Sequence, residues 1–433
     1  MQSEIVIVGG GAGGLELACK LGQKLGPGKV MLVDSRLYHI WKPSLHEVAA
    51  GTLDIHQEGL SYQMLAHDRG FTFVYGAMTA LDAGAHQLTV APVAAADGEE
   101  VLPERRIGYK SLVIAVGSTS NYFGVPGARE HTISLNATED AERFRLRLLR
   151  LLAQAEQDRE DGASRSGLDI VIIGGGATGV ELAAELREAS GVYAAYGFNR
   201  LQVQRDVRIT LLEGAPRILA PLPERVSGAA TRLLDQRAIK VVPDCRVAAI
   251  ATDHVTDSNG NVYPADLCVW AAGIRAPEFL GTLGLPTTKG GQLEVDGHLR
   301  VNGVPDVYAL GDCAACMDGN GKPVPPRAQA AHQQADYLLK TFMNMASGYP
   351  PQKHPYVYRD YGSLVSIGHQ TTVGSLMGSL RGASWFVEGF MARIMYLSLH
   401  LLHHKAVLGT MRTGLMAFGR FLIRRTTPLV KLH

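Results

Sequence analysis

The stretch EIVIVGGGAGGLELA at residues 4–18 returns as DIVIIGGGATGVELA at 169–183. A chain that repeats the same strand, turn and helix entrance is constrained more by that repeat than by any bulk property. Each copy fits G-x-G-x-x-G, through Gly9, Gly11 and Gly14 and again through Gly174, Gly176 and Gly179. In such a unit the first glycine permits a tight turn and the second lets backbone approach a pyrophosphate. The helix beyond offers unpaired N–H groups and the positive end of its dipole. Ala12, Gly13 and Ala177 keep both helix entrances small. Downstream, KVMLVDS places Asp34 at a strand end, 20 residues beyond Gly14, where a carboxylate accepts ribose hydroxyls. VRITLLEGAPR offers Glu213 for the same role 34 residues beyond Gly179, and the longer interval implies a helix extended through SGVYAAYGFNRLQVQRD. A carboxylate at Glu213 repels a 2′-phosphate and favours NADH over NADPH; Arg217, four residues on, weakens that inference only a little.

Two dinucleotide sites in one chain imply hydride traffic between a retained flavin and an exchangeable nicotinamide. Three more strands fit that plan. YKSLVIAVGSTSNYFGVPG at 109–127 ends in a small-residue turn at Gly117, and ADLCVWAAGIRAPEF at 265–279 ends in one at Ala272 and Gly273. VPDVYALGDCA at 304–314 presents Asp312, suited to the ribityl hydroxyls of a flavin. The expected fold is therefore α/β, with two Rossmann-like domains on a glutathione-reductase-like plan, the second inserted in the first. Residues 1–125 and 290–340 form a discontinuous FAD domain with non-covalent FAD, and 168–289 form an NADH domain. Residues 126–167 supply a connecting helix and linker, with QAEQDREDGASRSG at 154–167 as the linker itself; 341–433 form a C-terminal region.

The 433 residues suffice for two or three domains, and 46% apolar residues, 19% charged residues and 49 glycines suit a turn-rich α/β protein. With 42 basic against 41 acidic residues the chain is not expected to bind nucleic acid. Five cysteines, an odd number, do not make a disulfide framework and point to a reducing compartment. No secretory signal and no uncharged apolar run of about 18 residues is legible, so the expectation is a cytosolic protein or one attached to a membrane without spanning it.

Charge is unevenly placed. Residues 381–433 hold eight Lys/Arg (381, 393, 405, 412, 420, 424, 425, 431) against Glu388 alone, a local +7 that leaves the rest near −6. Met391, Ile394, Met395 and Leu402 recur at helical spacing, as do Met411, Leu415, Phe418 and Leu422. From about 385 to 433 this describes amphipathic helices lying in a lipid headgroup plane, or a hairpin in a homodimer interface, or both. His400, His403 and His404 read as interfacial polar residues, and no metal is expected. Cys313 and Cys316 form C-x-x-C after Asp312 and read as small residues packed near a flavin, since zinc needs two more ligands.

On these motifs the chain resembles the type II NADH:quinone oxidoreductases, proteobacterial respiratory NADH dehydrogenases that do not pump protons. The likeness runs from IVIVGGGAGGLE through HIWKPSLHEVAAG, GGGATGVELAAEL, VWAAGI and ALGDCA to the terminal LVKLH. Its most specific element is A-Q-x-A-x-Q, met here as Ala328, Gln329, Ala331 and Gln333. The resemblance implies that Gln329 offers its amide to a quinone carbonyl, that Ala328 and Ala331 leave room for the ring, and that Gln333 shares the site. It also implies that Lys42 and Pro43 of WKPSLHE lie by the isoalloxazine, with Ala330 near the flavin. Glu181 would lie between nicotinamide and flavin, steering the nicotinamide or delivering protons. Reduction of a membrane quinone on the cytoplasmic face of the inner membrane, by a peripheral enzyme, is the activity so implied. The rival readings are a sulfide:quinone oxidoreductase-like flavoprotein, which needs widely separated sulfur-carrying cysteines, and a flavin redox sensor with negligible turnover. A disulfide reductase needs a cysteine pair in the first domain, where Cys19 stands alone.

Overall fold

The computed structural model describes residues 1–160, 167–319, 321–368, 372–377, 384–388, 390–423 and 430–431. The repeat builds the same unit twice. The strand Gln2–Val8 feeds the helix Ala12–Leu25 and pairs in parallel with Val30–Asp34, Val8 opposite Val33. The strand Leu168–Ile173 feeds the helix Ala177–Gly197 and pairs in parallel with Val207–Leu212, Ile173 opposite Leu212. These strands are buried almost end to end, as strands covered on both faces are. The second fingerprint helix ends at Gly197 rather than running on to Asp206. Phe198–Gln202 are loop and Val203–Asp206 a single short helix, so the longer interval to Glu213 is helix plus loop.

The first unit grows into a seven-stranded sheet. Thr72–Tyr75, Val30–Asp34, Gln2–Val8 and Arg105–Ile114 run in parallel, extended by antiparallel Gln87–Val90 and Met78–Asp82. The seventh strand, Val307–Ala309, returns from far along the chain to pair in parallel with Leu112–Ile114. The second unit is a five-stranded parallel sheet in the order Ile133–Ser134, Leu267–Trp270, Leu168–Ile173, Val207–Leu212, Ile239–Val242. Where the chain passes between the sheets, Thr119 pairs with Arg275 and Ser120 with Ile274 as a two-stranded antiparallel bridge. The helix Thr138–Glu160 lies between them in sequence. It occupies 154–160, which composition had suggested as linker, because Leu148, Leu152 and Ala155 bury one face at helical spacing. The rest of that expected linker, 161–166, lies outside the described residues.

Beyond the end of the helix Ala328–Ala346, the C-terminal region forms a small sheet before its helices. Gly362–Ser366, Thr372–Met377 and Ser384–Glu388 form an antiparallel sheet, followed by the helices Phe390–Leu408 and Thr410–Ile423. Val407 and Leu408 bury themselves against the first fingerprint helix, whereas Leu402, Met411, Leu415, Phe418 and Leu422 are exposed. Arg381, Arg424 and Arg425 of the basic tail, and its last two residues, lie outside the described residues, as do the side chains of Met391, Arg393 and Ile394. Among the described residues no helix is long and apolar enough to cross a membrane.

Candidate active site

Both fingerprints close in the same way. Gly9 N donates to Val33 O and Gly174 N to Leu212 O, each at 2.8 Å, with φ of +103° and +110° that only glycine adopts without strain. A Cβ at Gly14 would meet Gly9 O at 2.0 Å and one at Gly179 would meet Gly174 O at 1.9 Å, so the third glycine of each motif serves helix–strand packing. At Gly176 a Cβ would meet nothing within 4 Å, and at Gly11 only Ala115 O at 4.0 Å. That open space, at the N-terminal ends where Ala12 and Ala177 begin their helices, fits a pyrophosphate in both cradles. The acids correspond as well. Asp34 accepts from Gly10 N at 2.6 Å and Arg36 N at 2.8 Å, while Glu213 accepts from Gly175 N and Ala215 N at 2.6 Å each. Burial raises the Asp34 carboxyl, opposed by those backbone bonds. Arg217 turns to Leu219 O and Ala220 O, away from the Glu213 carboxylate bonds.

A small cleft beyond the returning strand Val307–Ala309 is lined by Gly311, Asp312, Ala314, Pro325, Ala330 and Gln334. Ser118 Oγ donates to Asp312 Oδ2 at 2.7 Å and Lys42 Nζ to Ser118 O at 2.9 Å. Lys42, Asp312 and the turn at Gly117 thus meet, with Pro43 in the same short 3-10 helix as Lys42. The lysine is exposed as a residue, yet desolvation by the surrounding protein pushes its ammonium below the ordinary lysine value; Asp312 opposes that shift and Arg36 adds to it. Gln334 escaped the sequence reading. It is 1% exposed and its Oε1 accepts from Gly311 N at 2.7 Å, fixing the turn that presents Asp312. In the second domain Gly273, with φ +66°, packs on Phe123, and Trp270 Nε1 donates to Ala272 O at 2.7 Å.

The glutamines on the helix Ala328–Ala346 do share a face, and that face is already occupied. Gln329 Nε2 donates to Gly362 O at 3.2 Å and Asp360 Oδ1 at 3.3 Å, and its Oε1 accepts from Tyr361 N at 3.3 Å. Gln333 exchanges two bonds with the Arg359 backbone, at 2.8 and 2.9 Å. In this arrangement both donor and acceptor of the Gln333 amide hold the chain. The small side chain and carbonyl of Ala331 lie against Gly13, where two helices cross, while Ala328 sits at the helix start. Glu181 is 7% exposed; its Oε1 accepts from Ser366 N at 3.0 Å and its Oε2 lies 3.7 Å from His46 Nδ1. Residues 359–366 therefore run from the glutamine pair to Glu181, a connection with no sequence motif to announce it.

All five cysteines are free and buried. Cys313 and Cys316 lie in different core clusters, and burial pushes their thiols up to about 12 and about 11. Of the tail histidines, His403 and His404 are 1% and 3% exposed, inside the contact between the helix Phe390–Leu408 and the first domain.

Two cradles of the same geometry, in sheets joined by the antiparallel pair Thr119–Ser120 and Ile274–Arg275, are the architecture of an oxidoreductase of the two-nucleotide flavoprotein class. The family model described as pyridine nucleotide-disulphide oxidoreductase matches residues 3–335. The type II NADH:quinone oxidoreductase of Haemophilus influenzae is 36% identical over the full length of both chains. The enzyme Ndh of the same description from Mycobacterium tuberculosis is 28% identical over 92% of this chain and 84% of its own. The chain belongs to the pyridine nucleotide-disulphide oxidoreductase family and, within it, to the type II NADH:quinone oxidoreductases. Among solved structures, NDH2 of Plasmodium falciparum in complex with NADH superposes with a TM-score of 0.82 at 18% identity, covering all of both chains. The sulfide:quinone oxidoreductase of Aquifex aeolicus gives 0.70 at 19%, over 94% of this chain and 92% of that one, which speaks to fold alone.

Proposed function

We propose that this chain oxidises NADH and reduces a quinone, holding FAD non-covalently in the first cradle and NADH in the second. The observation that carries this reading is the duplicated carboxylate geometry: Asp34 on Gly10 N and Glu213 on Gly175 N, each at 2.6 Å beside an open helix N-terminus. Bound FAD supplies the redox chemistry, accepting a hydride and passing two electrons on. The chain's own residues position and polarise. Asp34 and Glu213 bind ribose hydroxyls, and Glu213 excludes a 2′-phosphate by repulsion. Asp312, steadied by Ser118, faces the ribityl chain, and Lys42 with Pro43 flanks the ring. Glu181, buried beside His46, orients the nicotinamide or delivers a proton. Gln329, whose amide bonds to 360–362 are long, rotates toward a quinone carbonyl; Gln333 holds the 359–361 segment in place. The exposed row Met411, Leu415, Phe418 and Leu422, flanked by basic residues, rests on anionic lipid at the cytoplasmic face, and a homodimer is compatible with the same surface.

Stopped-flow reduction of the FAD-loaded protein tests this. NADH should bleach the flavin absorbance faster than NADPH, and sulfide should not bleach it. Rapid reduction by sulfide in preference to NADH would reassign the enzyme, a result that the five buried cysteines argue against.

A further inference from the structure

Three helices that are remote in sequence converge on one buried point. Glu16 of Ala12–Leu25, His332 of Ala328–Ala346 and His403 of Phe390–Leu408 each offer one donor atom, and the three atoms lie within 4.8 Å of one another. His332 Nδ1 touches Glu16 Oε2, while Lys20 Nζ holds the other carboxylate oxygen and reaches Asp336 Oδ1 at 2.7 Å. Glu16, Asp336 and Lys20 together carry a net negative charge at this point.

The hydrogen bonds of His39 dictate the protons. Its Nδ1 lies 2.9 Å from Gly10 O, and a carbonyl only accepts, so Nδ1 carries the hydrogen and Nε2 is a lone pair. That Nε2 lies 2.8 Å from His403 Nε2, which must therefore be the donor. His403 Nδ1 is left as a bare lone pair with no hydrogen-bond partner, on a residue 1% exposed. Burial keeps both rings neutral, holding His39 down to about 4 and His403 well below the ordinary value. A buried orphan acceptor costs free energy unless something positive meets it, and here it stands among a carboxylate and a second imidazole.

We propose that Glu16, His332 and His403 form a binding site for a divalent ion of the zinc class, which staples the C-terminal helix to the first fingerprint helix and to the helix Ala328–Ala346. Two imidazoles and a carboxylate suit zinc, whose tetrahedral donors stand about 3.3 Å apart at ordinary bond lengths. His39, tied to the Gly10 carbonyl, is the kind of outer partner that orients a ligating histidine. Trp41 covers His403 with its ring centre 4.2 Å away, and the His332 side chain, 24% exposed, leaves a way in. A neighbouring group, Glu58 with His400 and His404, is differently placed. The Arg420 guanidinium already bridges Glu58 and His400, at 3.1 Å from His400 Nε2, and supplies the positive charge.

The test is zinc chloride titrated calorimetrically into chelator-treated, FAD-loaded full-length protein, with X-ray absorption at the zinc edge of the loaded sample. One ion per chain, a raised melting temperature and a nitrogen/oxygen shell containing two imidazoles are expected. His332→Gln and His403→Gln should each weaken binding by about tenfold or more, and Glu58→Gln should leave it unchanged, the flavin spectrum certifying each variant as folded. Absence of stoichiometric zinc, a sulfur-dominated shell, or loss with Glu58→Gln but not with His332→Gln would overturn the proposal. Should His403→Gln fail to fold, the wild-type absorption edge and His332→Gln decide alone.

Discussion

A single missing atom at Gly14 and at Gly179 lets each fingerprint helix approach its strand, since a Cβ there would sit 2.0 or 1.9 Å from a backbone oxygen. The two positions make separable predictions. Gly179→Ala should raise KM for NADH by about tenfold or more, equivalent to about 1.4 kcal/mol of lost binding, with flavin content unchanged. Gly14→Ala should instead yield protein depleted of FAD, measured as the ratio of flavin to protein absorbance. Glu213→Gln removes the charge that repels a 2′-phosphate, so the NADH/NADPH ratio of kcat/KM should fall; an unchanged ratio would deny Glu213 its ribose role. Buried histidine makes a prediction about pH. His39 titrates at about 4 in the folded chain against an ordinary 6.5, so as pH falls the unfolded state binds the proton first. Its contribution to stability is complete above pH 6.5 and is lost progressively toward pH 4. In the presence of chelator, the melting temperature of His39→Gln should fall less steeply than that of the parent across that window. Parallel slopes would show that His39 is not held neutral.

Elements were legible in proportion to how locally they are specified. Each fingerprint sets its turn, cradle and helix within about fifteen residues, and the acid that caps it ends the next strand, so both cradles could be read without a structure. The end of the second fingerprint helix at Gly197 could not be read as firmly, because only Gly197 and Asn199 mark the exit and no proline reinforces them. Nor could the partners of the glutamines. Gln333 meets Arg359, 26 residues away, through backbone atoms, which leave no side-chain signature. Gln334, adjacent to an expected site residue, was hidden because a buried glutamine and an exposed one look alike in a helix-forming run. These contacts divide the helix into two roles. Gln333→Ala removes two bonds to the 359 backbone and should cost about 1 kcal/mol of stability, seen in thermal unfolding. Gln329→Ala should slow quinone reduction well beyond its effect on flavin reduction by NADH, seen by stopped flow. Equal slowing of both half-reactions would make Gln329 structural.

At the scale of the molecule the C-terminal region is both an outward surface and an internal tie. Lys431 N donates to Gly51 O at 2.8 Å, Tyr193 Oη and Arg145 Nη1 donate to Lys431 O, and Val430 is 1% exposed in the core. Removing the tail would therefore take away core packing along with any lipid contact. Leu415→Glu with Phe418→Glu isolates the surface, since both side chains are exposed. The double variant should keep its flavin and stop sedimenting with anionic vesicles, and retained binding would place the lipid contact elsewhere. The composition gave no hint of the tie, because Val430 and Lys431 meet partners hundreds of residues away. The central claim is that one cradle retains a flavin and the other serves a passing nicotinamide, with a quinone as the electron sink. An anaerobic absorbance titration of the purified protein tests it most directly. NADH added stoichiometrically should bleach the flavin bands, and a soluble quinone added next should restore them. Protein that lacks flavin and does not take up FAD, or flavin that NADH leaves oxidised or that quinone leaves reduced, would contradict the account.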